Sequence, residues 1–503
     1  MRQNRDGVQS LCSLLGRFSL IALISSFVAT LYAKESFKDF KKSQIQSFQT
    51  YKDEKDTAFS KYLKDEWQSY ISFEPIPLYE KQKPIEIDTA RPKEEIPSGP
   101  KIAIKIKEKS LIKEEDLSKE ENASKKEQEQ VVIYIEEDKN SQKDISFDFF
   151  GTHLGFNIAD SIKNANFYPN TQIGIANFFN SVAMSDYEPL VSEIDKIAKA
   201  MNLNDWGVYL LVRKISDKAT TNQDNSKLLS WFLFNKLGYA VKAALTNKHI
   251  VLMHHSKKII YAAPNYNFED KKYYVVSDYA KEDVRRVYTY KQEYPNAIKP
   301  LDLSLERLPN FKENLQSKTL SFSHLGNSYD IPITYNKNII DFMGSYPQAE
   351  YETFFNAPME GKTYTDLAMS LKKYIEGKKA SEAMNFVLHF VQKSFKYEQD
   401  NKQFGKEKVM FAQETLFYDK SDCEDRAILF SYLVKELFDV SVLGVKYKDH
   451  MATALYIPLE GDTVAVGSKK FVIADPTYID ASIGVSMPKY RSLQPQSYIT
   501  VKK

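Results

Sequence analysis

The stretch from Glu414 to Tyr478 limits most strongly what this chain can fold into. It reads ETLFYDKSDCEDRAILFSYLVKELF, then DVSVLGVKYKDHMATALYIPL, a polar hairpin, and KKFVIADPTY. Ala427, Ile428, Phe430, Leu433, Val434 and Leu437 recur at helical spacing, and Ser421 and Asp422 precede them as N-cap types. The pattern predicts a buried helix with Cys423 in its first turn. His450 opens the strand-like run Met451–Ile457, and Asp475 closes the apolar run Phe471–Ala474. A helix followed by two strands is an α+β arrangement, and it carries three residues able to react together.

A thiol in a first helical turn faces unsatisfied N–H groups and the positive end of the macrodipole. Its pKa is then expected to fall by roughly one to several units, further beside an imidazolium. Cysteine as nucleophile, histidine as base and aspartate as orienting carboxylate is the division of labour of acyl transfer. The order and placement of Cys423, His450 and Asp475 resemble the transglutaminase-like superfamily, a papain-like group, and in particular its exported bacterial members. The segment MGSYPQAEYETFFNAP resembles the same members, so the likeness covers about 145–503. It implies an α+β fold with Cys423 as nucleophile, His450 as base and Asp475 as orienter. It further implies a cysteine peptidase or amidase that hydrolyses peptide or amide bonds through a thioacyl-enzyme, with no cofactor and no metal. The Cys423 N–H would help form the oxyanion hole, with Gln413 or Tyr418 as candidate side-chain donors. A lysine acceptor in place of water would make it a cross-linking transamidase. The reading from another class is a non-catalytic envelope scaffold.

The start of the chain sets the compartment. Arg2, Arg5 and Arg17 precede the apolar run Phe18–Tyr32, and residues 1–33 read as a signal peptide for export to the periplasm or beyond. Removing it leaves Cys423 as the sole cysteine and no membrane span in the mature chain. With 69 basic and 67 acidic residues the net charge is +2, which gives no argument for nucleic acid. The expected partner is a protein or peptide substrate in the cell envelope. Residues 34–74 carry aromatics at steps of three and four and read as a helical arm, docked on the chain itself or on a protein partner. Residues 75–144, Pro-rich and then Lys/Glu-rich, read as a linker without a core.

From 145 the chain becomes globular. Lys257–Tyr266 (KKIIYAAPNY) echoes Lys469–Tyr478 (KKFVIADPTY), and an apolar helix precedes both. We read 145–285 as a degenerate copy of the C-terminal fold, with Ala263 in place of Asp475, Gln223 in place of Cys423, and His249 within one position of the His450 counterpart. Residues 286–360 alternate as a small β module, with a turn at Gly326-Asn327, and 361–503 form the catalytic domain. Ser381 caps a helix running to Phe395. The pair His254-His255 lacks further ligands and reads as alternating strand faces. Asp419, Asp422, Glu424 and Asp425 read as a solvated or salt-bridged helix start, with Asp425 and Arg426 as structural candidates and loose Ca²⁺ binding as the alternative.

Overall fold

The computed structural model describes residues 53–65, 67–92, 96–106, 143–247, 249–276 and 284–502. The expected signal peptide, the first part of the arm (34–52) and the Lys/Glu-rich tract lie outside these residues. The chain divides into two units, 1–65 and 66–503. In the first, residues 53–65 are helical and Phe59 stacks on Tyr62.

The second unit is a mixed α+β body built on two antiparallel sheets. The first sheet holds β1 (Trp67–Ile71), β2 (Val241–Thr246), β3 (His249–His255), β4 (Asn265–Phe268), β5 (Lys271–Val275) and β6 (Arg286–Tyr290), in the order β1-β6-β2-β3-β5-β4. The second holds β7 (Val442–Lys446), β8 (Met451–Leu455), β9 (Thr463–Val466), β10 (Lys469–Ala474) and β11 (Ser497–Thr500), in the order β11-β7-β8-β10-β9. Without β1 the two orders are the same when strands are matched in sequence. Each sheet follows a helix that packs on its first two strands, α1 (Gln223–Lys236) and α3 (Cys423–Phe438). A left-handed residue turns the chain from helix to strand in both, Gly238 (φ 88) and Asp439 (φ 55). The body therefore contains the same helix-and-sheet unit twice.

Strand pairing corrects the register of the repeat. Val241 pairs with His254 and Val442 with Leu455, so His249 occupies the position of His450 itself. His254 pairs with Tyr274 and Leu455 with Val472, so Lys271-Lys272 corresponds to Lys469-Lys470. By that register the residue matching Asp475 is Ser277, which lies outside the described residues, and not Ala263. Between β3 and β5 the first copy is three residues longer, since His254 pairs with Tyr274 where Leu455 pairs with Val472. Lys257-Lys258 precedes β4 and Lys271-Lys272 opens β5, so two Lys-Lys pairs offered two alignments, and these largely buried strands carry no alternation that would choose between them.

Three further boundaries differ from the expectation. Trp67–Ile71, read as the end of a helical arm, is strand β1 paired along β6, where Trp67 packs on Tyr288 and Tyr290. Residues 75–92 and 96–106, within the segment read as a linker, lie docked along the body. Ala90 donates to the Ile479 carbonyl and Ile102 to the Lys378 carbonyl. The helix α2 (Ala380–Lys393) is not capped by Ser381, whose hydroxyl instead bonds Ser98 N and O at 2.8 and 3.1 Å. The expected β module is a hairpin, Leu315–His324 with Asn327–Asn336. Its inward residues Leu320, Phe322, Ile331 and Ile333 are buried as the alternation predicts, and its turn is Leu325-Gly326. Among the described residues no helix is long and apolar enough to cross a membrane.

Candidate active site

Cys423 is the first residue of α3, behind the N-cap Asp422. His450 ends the tight β7–β8 connection, in which Tyr447 N donates to the His450 carbonyl. Asp475 follows β10, and because β8 pairs with β10 the two side chains meet. His450 Nε2 lies 2.8 Å from Asp475 Oδ2, both fully buried. Asp475 Oδ1 accepts from Thr477 N (2.9 Å) and Tyr478 N (3.2 Å), which locks the carboxylate against the ring. Tyr490 stacks on His450 at 4.6 Å and 20°. Its hydroxyl is within electrostatic reach of both Cys423 and Asp475, and after burial and Asp449 these charges push its pKa upward. The structure therefore brings His450 and Asp475 together beside Tyr490, while the hydrogen bonds of Cys423 Sγ among the described residues run to Glu424 and Tyr79.

Two further residues hold this arrangement, and the sequence reading missed the first. Gln392, on α2, is fully buried, and its Nε2 donates to the carbonyls of Asp475, Tyr478 and Ala481 at 3.0, 2.7 and 2.9 Å. Arg426 donates to Ser421 Oγ and to the carbonyls of Gln392 and Phe395. In sequence, Gln392 is one polar residue in an amphipathic helix, with nothing to mark it. The candidate oxyanion donors fare differently from expectation. Gln413 accepts from Glu360 N at 2.8 Å and points its amide at Thr363, while Tyr418 packs edge-on against Phe404. Neither is placed on Cys423 by these contacts.

The electrostatics of Cys423 reverse the sequence expectation. The thiol is completely buried and donates to Glu424 Oε2 at 3.2 Å. Burial, then the charges of Glu424 and Asp422, push its pKa well above the usual thiol value, and the opposing pull of Lys83 is smaller. A helix terminus contributes about 0.3–1 kcal/mol, whereas desolvation shifts a buried group by as much as about 3–5 pKa units. Desolvation wins, and in this conformation Cys423 is a protonated thiol.

The acidic helix start is salt-bridged rather than solvated and, save for exposed Asp419, is an interior cluster. Asp422, Glu424 and Asp425 are all fully buried, as is Asp400. Into them runs Lys83, from the segment read as linker. Its Nζ lies 2.5 Å from Asp422, 2.7 Å from Glu424, 3.1 Å from Asp400 and 2.7 Å from Glu407. Burial opposes the Lys83 charge, but Asp422, Glu424 and Asp400 outweigh it and hold its pKa well above the lysine norm. Burial also raises Glu424, but Lys83 overcomes this and keeps Glu424 ionised. Burial and Asp425 push Asp400 up to about 8, and burial and Glu424 push Asp425 up to about 6. The carboxylates thus share too little positive charge for all to ionise at neutral pH.

Asp400 yields a pH prediction. Its folded pKa lies above its unfolded value of about 3.9, so folding favours the acid form. That contribution is full below about pH 4 and is lost as pH rises to about 8. Asp400→Asn should flatten the decline in urea-unfolding free energy between pH 5 and 8 by roughly 2–3 kcal/mol. An unchanged slope would show that Asp400 is ionised throughout.

In the first copy the histidine faces a different carboxylate and is largely exposed. His249 Nδ1 lies 3.5 Å from Asp224 Oδ2, and Asp224 follows Gln223 at the start of α1. With Gln223 at the nucleophile position, this histidine has no thiol to activate. Compared with known proteins, the chain matches no family model, no curated protein and no solved structure.

Proposed function

We propose that the C-terminal unit is a transglutaminase-like cysteine hydrolase, exported by residues 1–33 to the periplasm or beyond, acting on peptide or amide bonds. The observation that carries this reading is the buried 2.8 Å pair of His450 Nε2 and Asp475 Oδ2, set against the helix that begins at Cys423. Because Nε2 is engaged by Asp475, Nδ1 is the ring nitrogen left to exchange a proton. Cys423 Sγ gives its proton to Nδ1 and attacks the carbonyl carbon, and the oxyanion takes a first-turn N–H of α3. Collapse of the tetrahedral adduct expels the amine, which leaves with the proton from Nδ1. Water, deprotonated by the same nitrogen, then cleaves the thioester and restores the thiol. With a lysine amine as acceptor the same steps would make a cross-link.

A non-catalytic scaffold is the competing reading, and the complete burial and protonation of Cys423 favour it. Turnover separates the two. Fluorogenic peptide amides incubated with the chain should release amine. Cys423→Ala should lose at least about 10³-fold of that rate, the scale of a removed nucleophile. Equal release by both proteins, or none by either over a broad peptide set, would favour the scaffold.

A further inference from the structure

The segment from Ile76 to Pro84 lies across the site. Tyr79 Oη stands 3.9 Å from Cys423 Sγ and donates to Glu424 Oε2 at 3.1 Å, and its ring meets Tyr351 edge-on. Lys81 N donates to the Lys448 carbonyl, in the connection that carries His450. Gln399 Nε2 donates to the Lys83 carbonyl at 2.5 Å, and Tyr397 Oη to the Pro84 carbonyl at 2.8 Å. The backbone is thus held from both sides as it passes the thiol. The side chain that anchors it is a lysine, and the pocket that receives it is made wholly by another part of the chain. That pocket is not saturated by its occupant. Asp400 Oδ1 is buried without a hydrogen-bond partner, in a residue only 1% exposed.

We propose that residues 76–84 hold the place of a substrate peptide, with Lys83 filling a subsite for an ammonium-bearing side chain built by Asp400, Asp422 and Glu424, so that Cys423 reacts only when this segment is displaced. The inference rests on the cysteine-hydrolase reading for the word substrate. A buried pocket of three carboxyl groups beside the nucleophile, with Glu424 ionised, is costly unless a cation enters it. A compact, flexible ammonium reaches all three at once, and a neutral side chain of equal length would leave them unpaired. The preferred substrate is therefore a peptide or amide carrying a lysine-like amine near the bond that is cut. The closed state explains why the thiol is both covered by Tyr79 and bonded to Glu424. Displacement returns water to Sγ and opens the groove.

Two measurements test this without requiring turnover. The first is the rate of Cys423 alkylation by iodoacetamide at pH 7.5, read at the peptide level so that Cys12 is resolved separately. Tyr79→Ala should react at least about 10-fold faster than the unaltered chain, and equal rates would refute occlusion. The second uses Lys83→Ala, with n-butylammonium as the probe. Butylammonium should raise the urea midpoint of this variant saturably, while n-butanol should not. No difference between amine and alcohol would refute the ammonium subsite. Should Lys83→Ala fail to fold, the comparison moves to Tyr79→Ala, where butylammonium should compete with Lys83 and speed alkylation further. A chain that opens and binds the amine but cleaves no amide refutes the hydrolase reading and leaves the occluding segment and its subsite standing.

Discussion

Exchanging Asp475 for asparagine should lower amide turnover roughly 10- to 1000-fold while leaving the fold intact. The substitution keeps the shape that accepts from Thr477 N and Tyr478 N. It removes the charge at 2.8 Å from His450 that favours imidazolium and fixes the tautomer. In the serine-protease triad the matching change costs about 10⁴ in turnover. A thiolate–imidazolium pair forms with less help than serine needs, so the loss should be smaller. Steady-state kinetics on the amide substrate check this, with the loss expected in kcat rather than KM. Full activity in Asp475→Asn would remove the carboxylate from the mechanism.

The second large effect is on stability. Arg426→Leu should destabilise the body by roughly 2–4 kcal/mol, because it strands the buried Gln392 and Phe395 carbonyls without donors. Burial lowers the Arg426 pKa to about 10, so the guanidinium is still charged at neutral pH and sits beside Asp422 and Asp425. Its loss should also loosen Gln392, the residue that clamps the Asp475 loop. Urea unfolding measures the first effect, and amide hydrogen exchange at Thr477 and Tyr478 measures the second. A variant as stable as the parent would show that these carbonyls find other partners.

Much of the site was legible in the chain because its signals are local. The helix behind Cys423, the strand after His450 and the apolar run before Asp475 each follow from a few consecutive residues, and α3, β8 and β10 lie where those patterns place them. The β hairpin was legible for the same reason. What escaped was everything set by partners distant in sequence. Lys83 sits in a Pro-rich, charged stretch, where a lysine is ordinarily solvated. It is buried only because carboxylates from Asp400 to Glu424 converge on it. The same convergence turned an acidic helix start into an interior cluster and raised the thiol pKa that the helix terminus alone would lower. Trp67–Ile71 misled in another way. Its aromatic spacing fits a helical stripe as well as an edge strand, and only pairing with β6 decides between them.

The central claim is that His450 activates Cys423 for attack on an acyl carbon. The direct measurement is the rate of acylation of Cys423 by a lysine-containing peptide p-nitrophenyl ester, followed by intact mass and by nitrophenolate release. It is made in Tyr79→Ala, and in Tyr79→Ala carrying His450→Ala as well. A thioacyl adduct on Cys423 is expected in the first protein, formed at least about 100-fold more slowly in the second. Equal rates in the two proteins, or an adduct that forms elsewhere than Cys423, would contradict it.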